Sequence, residues 1–379
     1  MSHQKHFLHV FSTFTPAGPE LRAAGLMVGL GKDYRHTVIS CDGRVETADL
    51  IRDKVDLTLL PLTPKSGPLG HARALRELLA EQKPDLLLSY NWGAMDAAFA
   101  ARMAGFKHHL HHEDGFNADE AESLKVRRNW ARRMTLKGSE IVVPSRRLLK
   151  IAGETWHLPK VTLIPNGVHV PRFAPNADHR KALRSQYGIP ENAFVVGTVA
   201  HLRPVKRLDR MIRACAQVSE AALAGRSLYL LLVGDGDEKQ MLETLAKTNM
   251  PHDGKVIFTG HLPDPAPAYS AMDALALSSA SEQQPVSVLE AMAASLPILS
   301  TDVGDVRYTV SEEAVSLLVD PKLSDEQIEK GLATSLEEVL SDSTLRKNLG
   351  EASLRQVKEK YSFEAMFNAY GEVFERATA

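Results

Sequence analysis

Residues 274–297 read Ala-Leu-Ala-Leu-Ser-Ser-Ala-Ser-Glu-Gln-Gln-Pro-Val-Ser-Val-Leu-Glu-Ala-Met-Ala-Ala-Ser-Leu-Pro. Ala274-Leu275-Ala276-Leu277 is apolar without alternation, the pattern of a strand buried on both faces of a parallel sheet. Val286 to Ala294 follows as a helix, with Pro285 just before its first turn. Glu282 therefore falls in a strand-to-helix loop at the carboxyl end of a sheet, where open α/β folds bind ligands. Glu290 falls one turn into the helix, whose first free N–H groups form a natural anion site. The plain alternative is two solvated glutamates around an ordinary helix, and spacing alone does not separate the two.

Working outward, strands and helices alternate as in parallel βαβ units. In the second half, strands are expected at 194–199, 227–233, 255–259, 274–277 and 297–300, with helices at 207–220 and from Gly236 to about Asn249. In the first half, strands are expected at 7–11, 37–40, 85–89, 107–112, 141–144 and 161–165, and helices at 20–30, 71–82 and 94–104. The Asn166-Gly167 step supplies a turn, and residues 168–190 are rich in Pro, Asn and charge. The reading is an α/β chain of two doubly wound, Rossmann-like domains facing each other across a cleft. Residues 1–168 form the first domain, 169–190 a linker, 191–360 the second domain, and 361–379 a helix returning to the first.

Composition sets the frame. A chain of 379 residues, 44% hydrophobic and 24% charged, is too long for one comfortable core. Two cysteines, Cys41 and Cys215, argue against a disulfide framework and a cysteine-rich metal site. No stretch approaches a membrane span and no signal-peptide core opens the chain, so a cytoplasmic protein is expected. Residues 1–168 carry 23 Lys+Arg against 18 Asp+Glu, a net +5, and the remainder 22 against 29, a net −7. The positive charge gathers on Lys125–Lys137, a helix with a basic face. That face reads either as a solvated cover for the domain or as a peripheral contact with anionic lipid at the inner face of a membrane, or with an anionic acceptor. No basic excess or binding module points to nucleic acid.

Three further groups carry chemistry. Ala17-Gly18-Pro19 and Gly234-Asp235-Gly236 each follow a strand and precede a helix, yet neither has the spacing of a dinucleotide fingerprint. His201, Arg203, Lys206 and Arg207 follow the strand 194–199, where cations suit a diphosphate leaving group. In Lys107-His108-His109-Leu110-His111-His112-Glu113-Asp114, strand alternation puts His109 and His111 on one face and His108 and His112 on the other. A metal site is disfavoured there against a histidine meeting substrate at the strand end, or core histidines.

Together these stretches resemble the retaining glycosyltransferases of family 4, which have the two-domain GT-B fold. The resemblance rests on Val196 to Lys206, Leu231 to Gly236, Val256 to Gly260, and the Glu282-x7-Glu290 run continuing to Thr301-Asp302-Val303-Gly304. Val143-Pro144-Ser145, Ile164 to Val168, Pro84-Asp85 and His111 to Gly115 add to it. It implies that Glu282 contacts the donor sugar and Glu290 the ribose, that Arg203 or His201 with Lys206 holds the diphosphate, and that Leu262 meets the base. Val286 would line the sugar and phosphate site, Gly18 would approach the phosphate, and His111, with His112 competing, would sit beside the anomeric carbon. No metal or other cofactor is implied. Asn91, Trp92, Glu113 and Asp114, at strand ends, are the acceptor-side candidates. The alternatives to that role are core packing for Trp92 and a turn cap for Glu113.

The chain departs from the family in three places. His201 stands where arginine is usual, Gln283-Gln284 where Gly-Phe is common, and Ser295 where glycine is usual. The expected activity is transfer from a nucleotide-diphosphate sugar to a glycan or lipid-linked acceptor in cell-envelope polysaccharide synthesis. A sugar-nucleotide epimerase, a glycosyl phosphorylase and a non-catalytic nucleotide-sugar-binding protein are the alternatives.

Overall fold

The computed structural model describes residues 4–62, 69–116, 125–250 and 255–379. The chain divides into two compact units, Met1–Asn166 with Met366–Ala379, and Gly167–Ala365. The first unit holds β1 (Lys5–Phe11), β2 (Tyr34–Ser40), β3 (Asp56–Pro61), β4 (Leu86–Tyr90), β5 (His109–His112), β6 (Glu140–Val143) and β7 (Val161–Leu163). They form a parallel sheet in the order β3-β2-β1-β4-β5-β6-β7. The second unit holds β8 (Phe194–Val199), β9 (Leu228–Val233), β10 (Lys255–Gly260), β11 (Ala274–Leu277), β12 (Ile298–Thr301) and β13 (Leu318–Val319). Their order is β10-β9-β8-β11-β12-β13, again all parallel. Each sheet is thus doubly wound. Its winding reverses at β1/β4 in one unit and β8/β11 in the other, and such a switch point opens a ligand crevice at the strands' carboxyl ends.

The two faces of the first sheet differ in chemistry. Leu8, Val10 and Leu87 pack with Ile39, Leu75, Leu79 and a stripe of helical alanines, Ala97, Ala100 and Ala101. The opposite face is aromatic and polar. His9 bonds Tyr90 at 3.0 Å and His36 at 3.1 Å, and Tyr90 stacks on Phe11 at 4.0 Å. The helix Phe363–Thr378 covers this face, with Phe374 edge-on to Phe7 and Tyr370 stacked on His112. Burial pushes His9 and His112 well down and His36 to about 4, so all three are neutral at pH 7.

In the second unit, β8, β9 and β11 lie within one continuous apolar core. Residues 169–190 belong to this unit and carry two helices, Val170–Phe173 and Ala177–Gln186. The polar composition of that stretch is partly a helix cap, because the Asn176 side chain accepts from the N–H groups of Asp178 and His179. Arg180 and Arg184 then grip the Asp273 carboxylate at 2.8 Å each, just before β11. Asp273 also accepts from Val195 N–H of β8. Among the described residues, no helix is long and apolar enough to cross a membrane.

Candidate active site

The loops after β8 and β11 meet at the switch point of the second unit. Lys206, in the short helical turn Pro204–Lys206, places Nζ 2.5 Å from Glu282 Oε1, and the Ser279 hydroxyl donates to the same oxygen at 2.8 Å. Glu282 Oε2 has no protein partner among the described residues. The pair lines a small depression with Thr198, Ser278 and Ser287.

Several backbone contacts hold the Glu282 loop. Ala280 N–H donates to Val205 C=O, the Thr301 hydroxyl to Ser279 C=O, and Asp305 N–H to Gln283 C=O. Gly304 has φ +59, and a Cβ there would lie 2.5 Å from Glu282 O and 2.4 Å from Gln283 O. Glycine is therefore required under the glutamate. The loop after β8 is seated in the same way. A Cβ at Gly234, φ +135, would lie inside the Ala200 carbonyl, and Asp235 C=O accepts from Leu202 N–H. Gly234-Asp235-Gly236 thus serves as the bed of the basic loop. Two further basic residues of this loop, His201 and Arg203, have exposed side chains with no hydrogen bond to the protein among the described residues. Arg207 has φ +46 and joins Asp209 and Asp325, which Arg210 also binds, so the residue next to Lys206 is tied down.

Val286 opens the helix Val286–Ala293, and Glu290 sits one turn on, separate from Glu282. Its Oε2 accepts from the buried Tyr269 hydroxyl at 2.5 Å. Burial pushes the Glu290 carboxyl up to about 7, against the pull of the Tyr269 bond and Arg172. Since its folded pKa lies above the unfolded value near 4.5, this group favours the fold most at low pH. That contribution is lost as pH rises from about 4.5 through 7. Glu290→Gln is accordingly expected to stabilise the second unit by about 2 kcal/mol at pH 8 and to change little at pH 4.5, as read by thermal melting at both pH values. An equal effect at both pH values would refute this. Leu262, two residues past β10, is half-buried against the core of this unit. Ser295, in place of a glycine, adopts φ +58, a left-handed backbone costing a residue with a Cβ about 1 kcal/mol.

In the first unit, the helix Gly18–Leu30 starts beyond β1, and among the described residues no atom outside the local chain lies within 4 Å of where a Cβ on Gly18 would stand. Glu20, in its first turn, is buried and its carboxyl is raised to about 7 by desolvation. Arg22 grips Asp114 with both nitrogens, at 2.5 and 2.9 Å, and also bonds Asn166. Although burial works the other way, Asp114 raises the Arg22 pKa and keeps it charged. Asn91, at φ +58, accepts from Asp114 N–H through its side chain.

The remaining first-unit candidates are all engaged internally. Glu113 is fully buried and receives Arg132 Nε at 2.8 Å. The Arg132 guanidinium lies 4.9 Å from the rings of both Trp92 and Trp156, and 5.4 Å from Phe116. The His111 ring bonds the Ser89 hydroxyl at 2.8 Å, and so does His109. His112 lies between Tyr90 and Tyr370, with no hydrogen-bond partner for either ring nitrogen among the described residues. Both imidazoles are fully buried. Sequence reasoning misses Ser279, whose hydroxyl is aimed at Glu282 only by the folded loop, and Tyr269, Arg22 and Arg132, whose partners lie in other elements of the chain. For Thr301 to Gly304, the only signal is their place in the motif that carries the resemblance.

The comparisons with known proteins agree with this arrangement. Residues 179–356 match the family model "Glycosyl transferases group 1", and residues 17–167 match "Glycosyl transferase 4-like domain". Over 192 residues the chain is 28% identical to N-acetyl-alpha-D-glucosaminyl L-malate synthase of Bacillus anthracis, a match covering 51% of this chain and 48% of that one. Over 187 residues it is 29% identical to the lipopolysaccharide core biosynthesis glycosyltransferase LpsE of Rhizobium meliloti (strain 1021), covering 49% and 51%. The chain thus spans about half the length of these curated relatives. A solved structure, Anabaena HepE in complex with UDP and glucose, superposes with a TM-score of 0.81 at 18% identity, over 98% of this chain and 100% of that one. Two sheets of doubly wound order, the paired Lys206 and Glu282 at a switch point, and family models that together span most of the chain place this protein in the group 1 glycosyltransferases of the family 4 type, with the GT-B fold.

Proposed function

We propose that the protein is a retaining hexosyltransferase. It moves a sugar from a nucleotide-diphosphate sugar to a hydroxyl of a glycan or lipid-linked acceptor in polysaccharide synthesis. The observation that carries this reading is the Lys206–Glu282 pair at the β8/β11 switch point, beside the first turn of the helix Val286–Ala293. An ammonium and free N–H groups suit a diphosphate. A carboxylate with one free oxygen suits sugar hydroxyls, and Glu290, one turn on, suits a ribose. The UDP and glucose named with HepE, and the lipopolysaccharide core named with LpsE, support the donor and acceptor classes.

In this reading the bond from the sugar's C1 to the phosphate oxygen breaks through an oxocarbenium-like state. The acceptor hydroxyl enters on the same face, and its proton passes to the departing phosphate oxygen. Lys206, Arg203 and the helix N–H groups neutralise the leaving group, an office that otherwise falls to a metal ion. Thermal-shift screening against UDP-, GDP- and ADP-sugars tests the reading. One nucleotide series is expected to raise the melting temperature by about 5 °C at saturating ligand. No shift with any of them would contradict it.

A second observation favours contact with an anionic bilayer. On the helix Val126–Thr135, Val126, Trp130 and Met134 recur at four-residue spacing and are 82%, 64% and 41% exposed. Arg127, Arg133 and Lys137 are exposed beside them. Apolar side chains on a solvent face flanked by cations match the surface of a membrane carrying anionic headgroups. Trp130→Asp is expected to lower binding to vesicles of 30% phosphatidylglycerol about tenfold in a flotation assay, with soluble-substrate turnover unchanged. Equal flotation of the variant and the parent protein would exclude this contact.

A further inference from the structure

We infer that the Lys206–Glu282 ion pair makes the site discriminate between a nucleoside-diphosphate sugar and the nucleoside diphosphate left after transfer, favouring release of the latter. The inference rests on the donor-site reading above and adds a property that the reading does not contain.

Its basis is that both partners rise from backbone held in place. Glu282 is bonded at Oε1 by Ser279 and carried on a loop fixed by Ala280, Thr301, Asp305 and the close approach of Gly304. The Lys206 carbonyl accepts from the Ser278 hydroxyl, and the adjacent Arg207 is locked by Asp209 and Asp325. With Nζ and Oε1 2.5 Å apart, any phosphate that reaches Lys206 also approaches the Glu282 carboxylate.

The two ligands differ in what they bring to that carboxylate. A sugar nucleotide places hydroxyl donors beside it, and its esterified phosphate carries a single charge. A nucleoside diphosphate brings no hydroxyl there, and its terminal phosphate gains a second charge above about pH 6. Glu282 therefore attracts the first and repels the second. For charges about 5 Å apart in a partly exposed site, one added like charge weakens binding by about tenfold or more. Lys206 attracts both ligands, the doubly charged phosphate more strongly, and the Glu282 carboxylate opposes that gain.

The test is isothermal titration at pH 8 and low salt with UDP, GDP and ADP and with their glucose or mannose esters. It compares the parent protein, Glu282→Gln and Lys206→Ala. Glutamine keeps the shape and an acceptor for Ser279 but removes the charge. Glu282→Gln is expected to bind the responsive nucleoside diphosphate about tenfold tighter and the sugar nucleotide no tighter. In the parent protein, the ratio of the two dissociation constants should narrow as KCl rises, which needs no variant. Unchanged or weaker diphosphate binding by Glu282→Gln, or a ratio indifferent to salt, overturns the inference. Lys206→Ala binding both ligands like the parent protein, or a parent protein binding neither, instead overturns the donor-site reading.

Discussion

Lys206→Ala is expected to lower sugar transfer by about two to three orders of magnitude while the second unit stays folded. The leaving diphosphate gains charge as the sugar–oxygen bond breaks, and Lys206 is the ammonium fixed at the switch point to meet it. His201 and Arg203, exposed and without a hydrogen bond among the described residues, lack that fixed geometry and do not replace it. The fold survives because Glu282 keeps the Ser279 hydroxyl and the pair is partly open to water, with side-chain exposures of 24% and 11%. Losing such a pair costs about 1 kcal/mol or less. Initial rates with the donor found by thermal shift, together with a melting curve, check both halves. Full activity, or a collapsed second unit, would contradict the assignment.

Arg132→Ala is expected to destabilise the first unit by about 3–5 kcal/mol. Arg132 is fully buried, bonded to the equally buried Glu113 and surrounded by Trp92, Trp156 and Phe116. Removing it leaves an uncompensated carboxylate and empties an aromatic cage. Arg132→Ala with Glu113→Gln should recover part of the loss, because the orphaned charge is then gone. The chain's three tryptophans, Trp92, Trp130 and Trp156, all lie in the first unit, so urea unfolding followed by their fluorescence reports on that unit alone. A loss below about 1 kcal/mol would show that the pair is solvated or replaceable.

How much of this was legible in the sequence follows from what each residue depends on. β9 and β11 appear where unbroken apolar runs place them, because strands buried on both faces need no partner to be recognised. β3 escapes such reading. It lies at a sheet edge with Leu57, Leu59 and Leu60 only half-buried, and so lacks a continuous apolar run. β13, two residues long, has no pattern to detect. Alternation along 109–112 does sort the histidines: His109 and His111 meet on Ser89, and His112 turns to Tyr90 and Tyr370. It does not reveal that these rings are buried, which depends on what covers each face.

The site divides in the same way. Glu282 is marked by the strand before it and Pro285 after it. Its partner is 76 residues away, and only the β8–β11 pairing brings the two loops together. Ser279 and Tyr269 are an ordinary serine and tyrosine until the fold aims their hydroxyls at the two glutamates. The basic helix at 125–137 shows the limit most clearly. Arg132 looks like its neighbours in sequence, yet it points inward while Trp130 points out.

The most direct test is a crystal structure of the protein soaked with the nucleotide sugar that gives the largest thermal shift. The expected density has the diphosphate between Lys206 Nζ and the first turn of the helix Val286–Ala293, the ribose on Glu290, and a sugar hydroxyl on Glu282. A nucleotide bound away from the β8/β11 switch point, with the Lys206–Glu282 pair untouched, would contradict the account.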